Sequence, residues 1–164
     1  MAAPLLDAQQ MMWTEFQPKT QNRYILFVDG LPAWLIKAAA RPSYAAAEIT
    51  LDHMNVQRYI AGKGTWQATS MTLYDPIVPS AAQATMEWVR LQHESVTGRD
   101  GYSDFYKKDI TVNVFGPPGD IVEEWTLKGA FITSADFGGL DWSAGEAVME
   151  VALGIRYDYA ILQF

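Results

Sequence analysis

Ala147-Val148-Met149-Glu150-Val151-Ala152-Leu153-Gly154-Ile155-Arg156-Tyr157-Asp158-Tyr159 is the stretch that decides the fold. Taken at alternate positions, Ala147, Met149, Val151, Leu153, Ile155, Tyr157 and Tyr159 form an unbroken apolar row. Val148, Glu150, Ala152, Gly154, Arg156 and Asp158 occupy the other face. A period of two is the mark of a half-buried strand, because successive side chains leave opposite faces of a sheet. Fully extended, the row spans about 43 Å at roughly 3.3 Å per residue, longer than a flat sheet usually needs. A barrel or a sharply coiled sheet does need such a strand, and Gly154 is the expected bend.

Working outward, Trp125, Leu127, Gly129 and Phe131 alternate with Glu124, Thr126, Lys128 and Ala130, which predicts a second strand of the same kind. Gly138-Gly139 and Ser143-Ala144-Gly145 mark turns between the two. Upstream, Ile110, Val112 and Val114 alternate with Thr111 and Asn113, and Gly116-Pro117-Pro118-Gly119 turns that strand back. Met71 and Leu73 alternate with Ser70 and Thr72 in a strand over Trp66 to Tyr74. Tyr24 to Val28 is apolar on both faces, as a strand covered on both sides would be. Asp29-Gly30 predicts a hairpin whose return strand starts near Ala33 and contains Trp34, Leu35 and Ile36.

One helix is expected. Ser80-Ala81-Ala82-Gln83 reads as a capping box, and two stripes follow, Ala81, Ala84, Trp88, Leu91 and Ala82, Met86, Val89, His93. Gly98 is the expected terminator. Tyr44 to Ala61 is an extended excursion in which Ile49 and Leu51 alternate with Glu48, Thr50 and Asp52, closed by Gly62-Lys63-Gly64. Hung between core strands, it is a candidate for contact with another copy, the other reading being one more hairpin of the barrel. Residues 1–16 carry a rough helical stripe of Leu6, Gln9, Trp13 and Phe16, readable as a cap on its own domain or as a subunit-contact arm.

The 164 residues are enough for one domain with a real core, and six Trp, eight Tyr and seven Phe exclude intrinsic disorder. The expected division is an N-terminal arm over 1–21 and one domain over 22–164, with the excursion at about 44–61 and the helix at about 80–97. The absence of cysteine excludes disulfides, thiolate metal sites and cysteine nucleophiles. The first basic residue is Lys19, so no signal peptide is expected, and no apolar run reaches the roughly 18 residues of a membrane span. A net charge of −7 argues against tight nucleic-acid binding.

The common phosphate-loop, nucleophile-elbow and zinc-helix motifs are missing, so no catalytic, cofactor or metal site is expected. Asp136, Asp141 and Glu146 cluster near the last turn, where aspartates usually bind local backbone amides. A hydrolase using these three carboxylates is the weakest alternative. His93 is expected to be packed or hydrogen-bonded, and Lys107-Lys108 with Arg99 to form a solvated loop or an inter-subunit salt bridge.

The order of strand, hairpin, long excursion, strand, capped helix and closing strands resembles the tail tube proteins of contractile-tailed bacteriophages, which share a fold with the tube proteins of contractile bacteriocins and type VI secretion systems. Gly64-Thr65-Trp66 leading into Ser70-Met71-Thr72-Leu73-Tyr74-Asp75 carries the likeness, with Trp88, Trp125-Thr126-Leu127-Lys128-Gly129-Ala130-Phe131, Leu140-Asp141-Trp142-Ser143, Glu146 and the closing Tyr157-Asp158-Tyr159. It implies a mainly β fold: a β-barrel or sandwich of antiparallel strands, one flanking α-helix and an extended inter-subunit arm. It also implies a structural, non-enzymatic subunit forming a homo-hexamer stacked into a tube, with tail sheath, baseplate and tail terminator proteins as partners. Double-stranded DNA would pass through without sequence-specific binding, no membrane would be involved, and the site would be a virion tail assembled in the host cytoplasm. Tyr44, Glu48, Asp52, Asn55, Arg58 and Tyr59 are then the candidates for gripping the next ring, with Trp13 and Phe16 as further contacts. A tube of a bacteriocin or secretion device, or a monomeric small-molecule-binding barrel, is the alternative.

Overall fold

The computed structural model describes residues 17–163, so the expectations for Trp13, Phe16 and the stripe before them lie outside the described residues. Among the described residues nine strands are formed: β1 (Tyr24–Val28), β2 (Ile36–Ala39), β3 (Tyr44–His53), β4 (Val56–Trp66), β5 (Thr69–Tyr74), β6 (Lys108–Phe115), β7 (Ile121–Asp136), β8 (Glu150–Arg156) and β9 (Tyr159–Leu162). Two helices, α1 (Ala81–Gln92) and the one-turn α2 (Ser103–Tyr106), lie between β5 and β6. Seven strands join in the order β1-β6-β7-β8-β5-β2, with β9 also on β7. β3 and β4 form a separate two-stranded sheet.

The long strand β7 belongs to two sheets. Its first part pairs β6 and β9, whereas its last part, Phe131 to Asp136, pairs β8. Gly129 marks the change: it has φ +65 and lies where the β6 register slips between Lys108 and Ile110. A bulge of this kind switches which side chains face inward. Leu127 is buried before it and Ala130 and Ile132 after it, so Phe131 does not share a face with Leu127 as simple alternation predicts.

The C-terminal row runs beside β7 as expected, but not as one strand. β8 covers Glu150 to Arg156, Tyr157-Asp158 interrupts it, and β9 resumes against Trp125 to Lys128. The break sits beside the Gly129 bulge, where Asp158 N–H donates to Lys128 O at 3.0 Å. Gly154, the expected bend, faces a second slip between Ile132 and Ser134 on β7. Ala147 to Met149 precede the strand as exposed loop.

Three further expectations are corrected. Asp29-Gly30 makes a tight turn closed by Leu31 N–H to Val28 O, but β1 and β2 do not pair; a 3₁₀ turn at Ala33–Leu35 sends β2 to the far margin beside β5. Pro32 and the turn after it consume the residues that a two-residue hairpin would need. The helix α1 ends at His93 rather than Gly98, because His93 is extended and closes on Val89 O. Gly98, at φ +68, belongs to the next turn. At the other end the Ser80 hydroxyl accepts from Gln83 N–H as expected, while Asp75 Oδ1, not Gln83, makes the additional bonds, to Ser80 Oγ and Ala82 N–H.

The core lies between the inward faces of the two sheets: Leu26, Val112 and Leu127 from one, Leu73, Leu153 and Ile155 from the other. Helix α1 caps it with Ala81 and Trp88 of the expected stripe and with Thr85 beside them; Ala82, Ala84 and Val89 pack against the core, whereas Leu91 at the end of the stripe is exposed. Trp88 Nε1 donates to Tyr106 O at 2.7 Å, tying α1 to α2. On β1 only Leu26 and Val28 are buried; Ile25 and Phe27 face solvent, so this strand is covered on one side only in the single chain.

Candidate assembly surfaces

The β3–β4 hairpin stands clear of the body. Every residue of β3 is exposed, as is all of β4 except Gly62 and Trp66. It is therefore a hairpin, but not one of the barrel. His53 pairs with Val56 across a two-residue tip whose first member, Met54, has φ +52. Its base is aromatic: the Tyr44 and Trp66 rings meet edge to face at 5.4 Å, and Trp66 lies 6.2 Å from the buried Tyr157. Tyr44 folds over Gly64, where any Cβ would collide with the ring.

Cross-strand partners share a face, and the register divides the hairpin into two unlike faces. One carries Glu48, Thr50, Asp52, Gln57 and Tyr59; the other carries Ile49, Leu51, Val56 and Ile60, with Arg58 and His53. Of the residues singled out in the sequence, Tyr44, Glu48, Asp52 and Tyr59 thus lie on the polar face, Asn55 on the tip, and Arg58 alone among the apolar residues. The four aliphatics are the residues missed, although the alternation of Ile49 and Leu51 already pointed to them. All four are about half exposed or more, which water does not favour in a monomer.

The second surface is a pair of open margins. In the sheet β7-β8-β5-β2, no strand among the described residues pairs the outer side of β2 or the β6 side of β7 beyond Ala130. The strands alternate in direction through three antiparallel steps, so β2 and β7 run oppositely. The outward face of this sheet is small and polar: Ser70 beside Gly154 and Ser134, Thr72 beside Ala152 and Asp136. On this face Lys37 pairs with Glu150 and lies 5.5 Å from the Tyr74 ring centroid.

Between β1 and β2 lies a cleft of about 600 Å³, with Lys19, Arg41, Val112 and Val114 in its wall. Buried Glu123 holds the two basic residues of this wall, accepting from Lys19 at 2.5 Å and from Arg41 at 3.3 Å, and also accepts from Trp125 Nε1. Burial raises this carboxyl's pKa, but the hydrogen bonds from Lys19, Trp125 and Arg41 outweigh it and hold the group below its ordinary value.

The other candidate groups resolve locally. Asp141 Oδ1 accepts from Ser143 N–H at 2.9 Å and Ser143 Oγ at 2.8 Å, which lowers its pKa, and Asp136 Oδ1 accepts from Gly138 N–H at 3.0 Å. Among the described residues no three His, Asp or Glu side chains gather as a metal site. His93 is exposed and pairs with Asp100 at 2.7 Å. Lys107 binds Asp158 at 2.8 Å and Lys108 binds Asp29 O at 2.7 Å, so both lysines have partners within the chain.

The fold of this chain recurs in solved structures. A chain of the sheath/tube terminator of PVC, an extracellular contractile injection system in its extended state, superposes with a TM-score of 0.71 at 17% identity, over 92% of this chain and 99% of that one. The chain has the tube-protein fold of contractile injection systems. The same tube fold occurs in a chain of the six-fold symmetrised baseplate of the anti-feeding prophage, with a TM-score of 0.68 at 15% identity over 90% and 96% of the two chains. Hcp1 from Flavobacterium johnsoniae shares it more loosely, with a TM-score of 0.50 at 14% identity over 86% and 94%. No protein-family model matches the sequence, and no curated protein matches it significantly.

Proposed function

We propose that this chain is the structural subunit of a hollow tail tube, in which six copies close into a ring and rings stack inside a sheath, between a baseplate and a terminator. The observation that carries the reading is the pair of open margins on the sheet β7-β8-β5-β2. Because β2 and β7 run oppositely, the β2 of one copy set beside the β7 of the next continues the antiparallel order without a break. Closing the ring removes every such margin, which is how barrels avoid exposed edges. The small, polar outward face of that sheet then lines the channel.

The cargo follows from the wall. Six chains of −7 each total about −42; if part of that charge faces the channel, a wall without a basic stripe lets double-stranded DNA slide instead of binding. That is the need of a phage tail during genome ejection, with the protein in the virion tail after assembly in the host cytoplasm. The likeness to parts of contractile injection systems favours a second reading, the same tube carrying other cargo. A tube subunit of either kind is a scaffold and has no turnover of its own.

The chain has no cysteine, which makes the ring testable by cross-linking. Ala38→Cys on β2 with Ser134→Cys on β7 places thiols three strands apart within a copy, roughly 14 Å, too far for a disulfide. Mild oxidation should therefore give a covalent ladder ending at six. A product that stays monomeric at concentrations where the chain assembles would contradict the lateral closure.

A further inference from the structure

We propose that the cleft between β1 and β2 is filled by helix α2 of the neighbouring copy in the same ring, with that copy's Phe105 inside the cleft and its Asp104 against Arg41. The inference rests on the tube reading and names the side chains that lock two copies together when the margins of β2 and β7 meet.

The two sheets part on both sides of the molecule, and only one side is closed. On the β7 side, β6 leaves β7 where Lys108 pairs with Ala130. Helix α2 immediately precedes β6, and its Tyr106 ring meets Phe131 of β7 edge to face at 5.9 Å. Trp88 joins α1 to the same turn through Tyr106 O, so helices stand beside the open margin of β7. On the other side, between β1 and β2, no element among the described residues fills the gap, and Val112, Val114, Ala38 and Ala39 are left in the wall of a cleft of about 600 Å³. The closed side of one copy thus matches the open side of the next, which is the unlike pairing that closes a ring.

The heights agree as well. Ala39 pairs with Met71, Met71 with Leu153 and Leu153 with Ala135, so Ala39 on β2 and Ala135 on β7 share one row across the sheet. The same row-by-row pairing carries on through Ala40, whose N–H donates to Ser70 O at 3.1 Å. Arg41 then lies level with Ile132, one row from Phe131. Rows that continue from β2 of one copy to β7 of the next therefore bring Arg41 and its cleft beside the α2 that packs on Phe131.

The chemistry of the two surfaces is complementary. In the cleft wall two cations, Lys19 and Arg41, share the single carboxylate of Glu123, which leaves one positive charge over. Arg41 meets that carboxylate at 3.3 Å with its side chain 66% exposed, and a guanidinium has five N–H donors to give. On α2, Asp104 is exposed and has no ion-pair partner among the described residues. Beside it, Tyr102 is 81% and Phe105 66% exposed, their rings 6.3 Å apart. The core uses neither ring, and an aromatic anchor next to an arginine pair is how interfaces concentrate their binding energy.

The test uses the full chain, counting rings by negative-stain microscopy over a concentration series and following thermal unfolding in dilute solution. Phe105→Ser should leave the melting temperature unchanged and raise the concentration needed for rings tenfold or more. Asp104→Asn should weaken the rings severalfold in the wild-type background and no further in an Arg41→Gln background, because the partner is then already gone. Rings from Phe105→Ser at the wild-type concentration, strictly additive effects of Asp104→Asn and Arg41→Gln, or a lowered melting temperature in Phe105→Ser would overturn the contact and leave the tube reading standing. Rings that survive Phe105→Ser but are lost in Trp13→Ser would overturn it in favour of the chain's own first residues as the occupant. Wild-type chain that forms no ring at all overturns the tube reading itself and the contact with it.

Discussion

The Tyr24 hydroxyl on β1 donates a 2.7 Å hydrogen bond to the Lys37 carbonyl on β2, the one side-chain bond among the described residues that bridges the two end strands of the sheet path. It spans a gap that no strand fills. Tyr24→Phe should cost about 0.5–1.5 kcal/mol, the net worth of one such bond, and should loosen ring closure by freeing β2. Thermal denaturation and the oxidation ladder measure the two effects separately; an unchanged melting temperature would mean the bridge is idle.

Gly129 should tolerate no side chain. Its φ of +65 disfavours other residues, and a Cβ there would collide with the Asp158 carboxylate, which Lys107 holds at 2.8 Å. Gly129→Ala should destabilise by roughly 2–3 kcal/mol. The double variant with Asp158→Ala should recover the steric part only, and a strictly additive double-mutant cycle would refute the contact.

Glu123 gives the chain an acid limit. Its folded pKa is depressed, so the folded state binds fewer protons, and the stability it contributes is present above the ordinary value of 4.5 and lost as pH falls through the folded value. Glu123→Gln should lower stability at pH 7 by about 1–3 kcal/mol, the smaller figure applying because Lys19 and Arg41 are half exposed or more. It should also flatten the fall in melting temperature below pH 4.5. Some slope will remain, since the hydrogen bond from Lys128 also depresses Asp109. An unchanged acid profile would contradict this placement.

Trp66 should hold the hairpin to the body through Tyr44 and Tyr157. Trp66→Ala should speed tryptic cleavage at Arg58 and Lys63 severalfold while the body stays folded. Equal cleavage rates would mean the hairpin is anchored by its backbone alone.

Much of this was legible in residue patterns. Val151, Leu153 and Ile155 announce β8 because one side of that strand faces the core and the other does not. Ser80 announces α1 because a cap is local chemistry. Phe131 was misplaced because a single glycine bulge reverses the phase, and alternation alone cannot register an inserted residue. Asp29-Gly30 misled because a turn signal states that the chain reverses, not which strand it then joins. Ile25 and Phe27 read as doubly covered; in one chain they are not, and the missing cover is consistent with other copies. The hairpin aliphatics Ile49, Leu51, Val56 and Ile60 are less legible than their polar neighbours, because reactive groups announce a site and inert ones do not.

The central claim is that the open margins and the detached hairpin are completed by sister copies. A negative-stain micrograph of the purified full chain at high concentration tests it most directly. Six-membered rings with a central hole, joining into short hollow rods as concentration rises, are the predicted result. A field of uniform single particles of 18.3 kDa at every concentration would contradict it.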